Sequence, residues 1–272
     1  MNDLERYFDR NTGRLIHKWK HYFEIYERHF ARFRGRSPVV VEFGVSQGGS
    51  LQMWRDYLGA GTRYFGVDIN PNCRQFEEEG VRVFIGDQSD RAFLRSVANE
   101  VPAIDILIDD GGHTMQQQVR TFEEVFPQVA PHGVYLCEDV HTSYWQKWGG
   151  GYRRRGSFIE YAKGLVDGLN AWHSEDKASF DVTPFTRTAH SMHFYDSVVV
   201  IEKRPMEPPT HERRGEALFP ALSDDPWASN DTYFRWPELI RAGFPYIKTS
   251  VLAEQGDDPE LKALVPAQFR SR

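Results

Sequence analysis

Two short runs concentrate side chains that could do chemistry. Asp109-Asp110-Gly111-Gly112-His113 follows the apolar stretch Ile104–Ile108, and Glu138-Asp139-Val140-His141 follows Gly133–Cys137. Asp110, Glu138 and Asp139 offer oxygen ligands without a thiolate, a set that suits a hard cation, above all Mg²⁺. The plainer alternative is that these acids cap helices and bind solvent. His113 stands three residues past Asp110. An imidazole titrates near neutral pH, which makes His113 a candidate general base beside such a metal.

A third run, Val39-Val40-Val41-Glu42-Phe43-Gly44-Val45-Ser46-Gln47-Gly48-Gly49-Ser50, reads as a buried strand, a tight turn and the start of a helix. Glycines at such a turn let backbone N–H groups approach a ligand, and open α/β sheets bind ligands at the carboxyl ends of their strands. Arg63–Asp68 reads as the next strand, and Asp68 ends it where a doubly wound fold places a ribose-binding carboxylate. Capping the following helix is an equal use for Asp68. Val81–Ile85 is a third strand, and its polar turn brings Asp87 and Gln88 towards the edge of a base.

Strands alternating with helical stretches, including Gly48–Tyr57, Met115–Val129 and Phe158–Leu169, predict a doubly wound, Rossmann-like α/β sheet. The strands are mostly parallel, and a terminal antiparallel hairpin from Ser179–Phe185 and Phe194–Glu202 completes the sheet. Both acidic runs then lie on one rim. Trp19, Tyr22, Phe23, Tyr26, Phe30 and Phe33 recur at helical steps and predict an amphipathic helix between Leu15 and Phe33. Most of that stripe is core, with closure over a ligand or pairing with a second subunit as the other uses. From Thr142 to Ser157 the residues Tyr144, Trp145, Trp148, Tyr152 and Arg154 stand among glycines and arginines, as in a long mobile loop that contacts a substrate. These readings divide the chain into an N-terminal helical segment (1–37), a core (38–204) and a C-terminal extension (205–272), which Trp227, Tyr233, Phe234 and Trp236 could anchor.

The chain has 272 residues, 40% of them hydrophobic, which suffices for a substantial core. Its net charge of -6 argues against a general nucleic-acid binder. Two cysteines, Cys73 and Cys137, make neither a disulfide framework nor a thiolate zinc site. No apolar run is long enough to insert in a membrane, and the polar start lacks a signal-peptide core. A cytoplasmic protein is expected. The aromatic stripe and the aromatic tail together predict a homodimer.

Taken jointly, Glu42-Phe43-Gly44-Val45-Ser46-Gln47-Gly48-Gly49-Ser50, the Asp68 strand end, Asp109–His113 and Glu138-Asp139 resemble the class I S-adenosylmethionine-dependent methyltransferases. Within these, the pattern resembles the metal-dependent sugar O-methyltransferases of the mycinamicin type, over about Lys18–Lys203. The resemblance implies that Glu42 and Gly44 line the methionine end of the S-adenosylmethionine pocket, with Ser50 beside them. It implies that Asp68 binds the ribose, Asp87 and Gln88 lie by the adenine, and Asp109 faces the sulfonium. Asp110, Glu138 and Asp139 would hold Mg²⁺, and His113 would be the base. Gly44-Val45-Ser46-Gln47-Gly48 departs from the tighter Gly-x-Gly-x-Gly of the class. The tail segments Thr232–Ile240 and Gly243–Lys248 resemble stretches found in proteins of polysaccharide assembly, which tilts the acceptor towards a saccharide. Two alternatives stay open: a catechol-like phenol as acceptor, and a non-catalytic cofactor-binding scaffold in glycan assembly. A nicotinamide dehydrogenase is disfavoured, because Gly-x-Gly-x-x-Gly is absent after the first strand.

Overall fold

A computed structural model describes residues 1–216, and the fold below is that of the unit Met1–Thr210. Its strands are β1 (Val39–Phe43), β2 (Arg63–Asp68), β3 (Val81–Ile85), β4 (Ile104–Asp109), β5 (Val129–Cys137), β6 (Ala189–Tyr195) and β7 (Val198–Lys203). They form one sheet in the order β3-β2-β1-β4-β5-β7-β6. The first five run parallel, and β7 lies antiparallel to both β5 and β6. This is a Rossmann-like sheet, with the order reversing between β1 and β4. A crevice opens at the carboxyl ends there.

Helices cover both faces, which is why the central strands are largely apolar, Glu42 in β1 and Asp105 in β4 excepted. On one face α1 (Asp3–Arg10), α2 (Tyr22–Phe30) and α3 (Gly49–Leu58) pack Leu4, Tyr26, Phe30 and Trp54 against Val40, Ile106, Ile108 and Leu136. On the other, α4 (Arg91–Glu100), α5 (Met115–Val125) and α6 (Phe158–Asn170) pack Leu94, Phe122 and Phe158 against Val41, Leu107 and Tyr135. The register sets Phe43 opposite Asp109, and Asp109 opposite Cys137. The acidic runs that follow β4 and β5 therefore start side by side.

Several expectations need correction. The Leu15–Phe33 helix is shorter: α2 begins at Tyr22, a 3-10 turn spans Ala31–Phe33, and Trp19 stands outside, 54% exposed. The rest of the stripe, Tyr22, Phe23, Tyr26, Phe30 and Phe33, is buried in the chain's own core. Helix α1 was not foreseen; a capping box starts it, with Asn2 and Glu5 each accepting the other's backbone N–H. Ser179–Phe185 is not a strand, because Pro184 lacks an N–H and the Thr183 and Thr186 hydroxyls each accept the other's backbone N–H. The hairpin is instead β6–β7, turning at Asp196-Ser197 with Ser197 at φ 65°. The predicted helix over Met115–Val129 stops at Val125, where Pro127 forces a 3-10 turn. Trp227, Tyr233, Phe234, Trp236 and the tail segments lie outside the described residues.

Lys203 closes the far end of the sheet. Its ammonium donates to the carbonyls of Val129 (2.7 Å), Pro127 (3.2 Å) and Phe126 (3.3 Å), which follow the end of α5. Burial pushes this lysine down to about 8. Lys203→Met is expected to destabilise the fold by about 1–3 kcal/mol, because it strands carbonyls away from water. Urea unfolding would measure it, and an unchanged midpoint would show that those carbonyls find other donors.

Candidate active site

A cleft of about 370 Å³ lies at the carboxyl ends of β1, β2 and β4. Gly44, Ser50, Asp68, Gln88, Asp110, His113 and Asp139 line it, together with Leu15–Lys18 from the segment before α2. Gly44 sits at φ 93°, and a Cβ there would run into the carbonyl of Asp110. Only glycine allows β1 and β4 to meet so closely. Asp68 ends β2 with one oxygen accepting Ser46 N–H and the other Asn70 N–H, both at 2.8 Å, which pins the β1–α3 turn to the next strand.

Three other candidates for cofactor binding lie off the cleft. Glu42 is fully buried beneath it, accepting bonds from Ser50 Oγ (2.8 Å), Trp54 Nε1 (3.1 Å) and the Tyr64 hydroxyl, and burial pushes its carboxyl up. Asp87 is exposed and accepts Ser89 N–H at 2.7 Å, a turn-closing use. Asp109 is fully buried, accepting a bond from Gln88 Nε2 at 2.6 Å. Gln88 thereby ties the β3 turn to the end of β4, and its Oε1 accepts Gly112 N–H at 2.8 Å.

Burial pushes Asp109 up to about 7. Between the ordinary carboxylate range and about 7, the folded chain keeps a proton that the unfolded chain has released. Stability from this group is therefore present at low pH and falls as pH rises towards 7. Urea midpoints taken in chelator from pH 5 to 7 should fall less in Asp109→Asn than in the parent. Parallel curves would remove Asp109 as a cause.

On the cleft lining Asp110, His113 and Asp139 converge, each offering one ligand atom within 4.8 Å of the others. His113 Nε2 lies 3.5 Å from Asp139 Oδ2 and 3.8 Å from Asp110 Oδ1, and its Nδ1 is buried without a partner. Both His113 (φ 57°) and Asp139 (φ 52°) are left-handed, a strained backbone for residues with side chains. Thr142 Oγ1 holds this geometry from 2.9 Å off each residue's carbonyl.

Glu138 does not join that cluster. Its side chain is 1% exposed, and both oxygens face inward to Lys18 Nζ, at 2.8 and 3.0 Å. Lys18 Nζ also lies 2.5 Å from Asp110 Oδ2. Burial opposes the ammonium, but the Asp110 and Glu138 carboxylates outweigh it and push Lys18 up. Helix α2 supports both acids from behind: the Tyr26 hydroxyl donates to Glu138 Oε1 (2.7 Å), and the Tyr22 hydroxyl to Asp139 Oδ1 (2.8 Å). The aromatic stripe is thus core on its ring faces and a pair of acid-positioning hydroxyls at its tips.

Sequence reasoning missed Lys18, Tyr22 and Tyr26 as site residues. A signal existed in the charge balance, since several buried acids on one rim require a buried cation. Nothing in the sequence says which of the 33 lysines and arginines supplies it.

The Thr142–Ser157 segment is more structured than the loop expected. It turns through 3-10 stretches at Val140–Tyr144 and Gln146–Trp148, closed by Gly150 N–H to Trp145 O (3.0 Å) and Gly151 N–H to Ser143 O (2.8 Å). Tyr144, Trp145, Tyr152 and Arg154 are exposed outside the cleft lining. Trp148 is half-buried, its ring centre 6.1 Å from that of His113.

Comparison with known proteins agrees with this geometry. Residues 41–140 match a family model described as a methyltransferase domain. By that match, residues 41–140 form a methyltransferase domain. The chain is 40% identical over 191 residues to the 8-demethyl-8-alpha-L-rhamnosyl tetracenomycin-C 2'-O-methyltransferase of Streptomyces olivaceus, covering 67% of this chain and 50% of that protein. It is 33% identical over 211 residues to the mycinamicin VI 2''-O-methyltransferase of Micromonospora griseorubida, covering 73% and 51%. Among solved structures it is similar to the MycE methyltransferase of the mycinamycin pathway in complex with Mg and SAH, with a TM-score of 0.66 and 30% identity over 75% of this chain and 55% of that one. The chain spans about half the length of the curated relatives it matches.

Proposed function

We propose that this protein is a Mg²⁺-dependent S-adenosylmethionine O-methyltransferase acting on a sugar hydroxyl of a glycosylated molecule. The observation that carries the reading is the convergence of Asp110, Asp139 and His113 in the same cleft that Gly44 and Asp68 line. The likeness to proteins named as methyltransferases of glycosylated antibiotics supports the saccharide acceptor. A phenolic acceptor has no comparable support among them.

The residues present fit both groups. Asp68 and the glycine turn offer a carboxylate and an open backbone to a nucleoside, and Asp110 and Asp139 supply oxygen ligands of the hard type Mg²⁺ takes, with Glu138 behind them. When bound, the cofactor supplies an electrophilic methyl group, and Mg²⁺ lowers the pKa of hydroxyls that chelate it. His113 Nε2 would take the proton that an acceptor hydroxyl loses as it gains the methyl group. The Asp139 and Asp110 carboxylates lie 3.5 and 3.8 Å from that nitrogen and orient the ring. Trp148 shields that ring from water on one side.

The wider setting belongs to the same reading. Cys73 and Cys137 are free and buried, in keeping with a reducing, cytoplasmic setting. No helix among the described residues is long and apolar enough to cross a membrane. The homodimer loses one of its reasons, since the aromatic stripe is largely spent in the chain's own core. Calorimetry with S-adenosylmethionine and S-adenosylhomocysteine, with Mg²⁺ or chelator, followed by methyl transfer to a panel of rhamnosides, tests the proposal. Cofactor binding with chelator-sensitive transfer is the expected result; no cofactor binding would overturn it.

A further inference from the structure

We infer that Lys18 is a positioning residue of the metal site, a built-in counter-cation that holds Glu138 and one oxygen of Asp110 on the inner side of the site, in competition with the divalent ion. The inference rests on reading Asp110, Glu138 and Asp139 as metal ligands. Three observations carry it. Lys18 Nζ engages both oxygens of Glu138 and Oδ2 of Asp110, all within 3.0 Å. Its side chain is 3% exposed, so no solvent shell screens it from the acids. Asp110 is divided, with Oδ2 on the ammonium and Oδ1 turned towards His113, so one carboxylate serves an inner cation and an outer site at once.

Two consequences follow. An ion that takes Glu138 as a ligand must loosen it from the ammonium, and every ion that binds feels a positive charge on the far side of its ligands. Lys18 therefore weakens divalent binding while keeping the acids ordered without an ion. It also fastens the cleft wall, because the preceding residues Leu15, Ile16 and His17 line the crevice and Lys18 ties that extended segment to the ends of β4 and β5. Metal site and cofactor wall thus share one bond.

The test measures Mn²⁺ binding by electron paramagnetic resonance on the full chain without cofactor, comparing wild type, Lys18→Met and Lys18→Arg. Lys18→Met should bind Mn²⁺ roughly tenfold or more tightly than wild type, as expected on removing a like charge at this range, whereas Lys18→Arg stays near wild type. The ion should also raise the melting temperature of Lys18→Met more than that of wild type, since it replaces the lost ammonium. Equal or weaker Mn²⁺ binding by Lys18→Met would overturn the inference. Should Lys18→Met fold only with the ion present, that dependence supports it. If it does not fold at all, the ¹⁵N signal of the Lys18 ammonium in the wild-type protein decides, because it must shift as Mg²⁺ is titrated, and an unmoved signal at saturation overturns the inference. Wild type that binds neither Mn²⁺ nor Mg²⁺ would instead overturn the metal reading on which it rests.

Discussion

His113→Ala is expected to lower single-turnover methyl transfer by about 10²–10⁴-fold, the usual contribution of a positioned acid–base group, while S-adenosylhomocysteine affinity changes little. His113 lines the cleft with Nε2 beside Asp139 and Asp110, whereas Gly44 follows β1 and Asp68 ends β2. The loss should therefore fall on the chemical step. A rate near wild type with Mg²⁺ present would remove His113 as the base.

The second large effect belongs to Asp139. Asp139→Asn is expected to raise the Mg²⁺ concentration for half-maximal activity by roughly 100-fold, with Tyr22→Phe intermediate at about tenfold, since partners that orient a ligand typically matter by 10–100-fold. The Tyr22 hydroxyl donates to Asp139 Oδ1 and leaves Oδ2 facing His113. Removing the hydroxyl frees the carboxylate to turn without changing its charge. An unchanged titration in Asp139→Asn would exclude it as a ligand. An unchanged titration in Tyr22→Phe alone would show that the left-handed backbone at Asp139 is enough to aim it.

What the sequence disclosed and what it hid have one physical origin. Strands β1 to β5 were legible because strands buried on both faces must be apolar along their length, so the polar residues that follow them stand out as strand ends. Asp68, Asp110, Glu138 and Asp139 were found in that way. Pattern alone cannot weigh a side-chain hydrogen bond against a ladder, and Ser179–Phe185 was misread for that reason, its alternation being undone by Thr183 and Thr186. Nor does pattern separate a strand end that binds from one that closes a turn: Asp87 and Asp68 look alike in sequence, yet only Asp68 lines the cleft. Lys18, Tyr22 and Tyr26 were hidden because their partners are local in space and remote in the chain. Periodicity counted the two tyrosines as apolar.

The bonds from α2 and Lys18 to Glu138 and Asp139 also fix when this site can assemble. They join residues 112 to 120 positions apart, and α2 is clasped further by His29 to Glu202, 173 positions away at 2.7 Å. Such distant pairings close large loops and form late. During synthesis the N-terminal helices leave the ribosome first, and α2 has no full seat until β7 has been made and inserted beside β5. The residues that aim the acids are then made before the acids and secured after them. A nascent chain stopped before Glu202 would carry the whole glycine turn and both acidic runs, and still lack the partner on β7 that clasps His29 and seats α2.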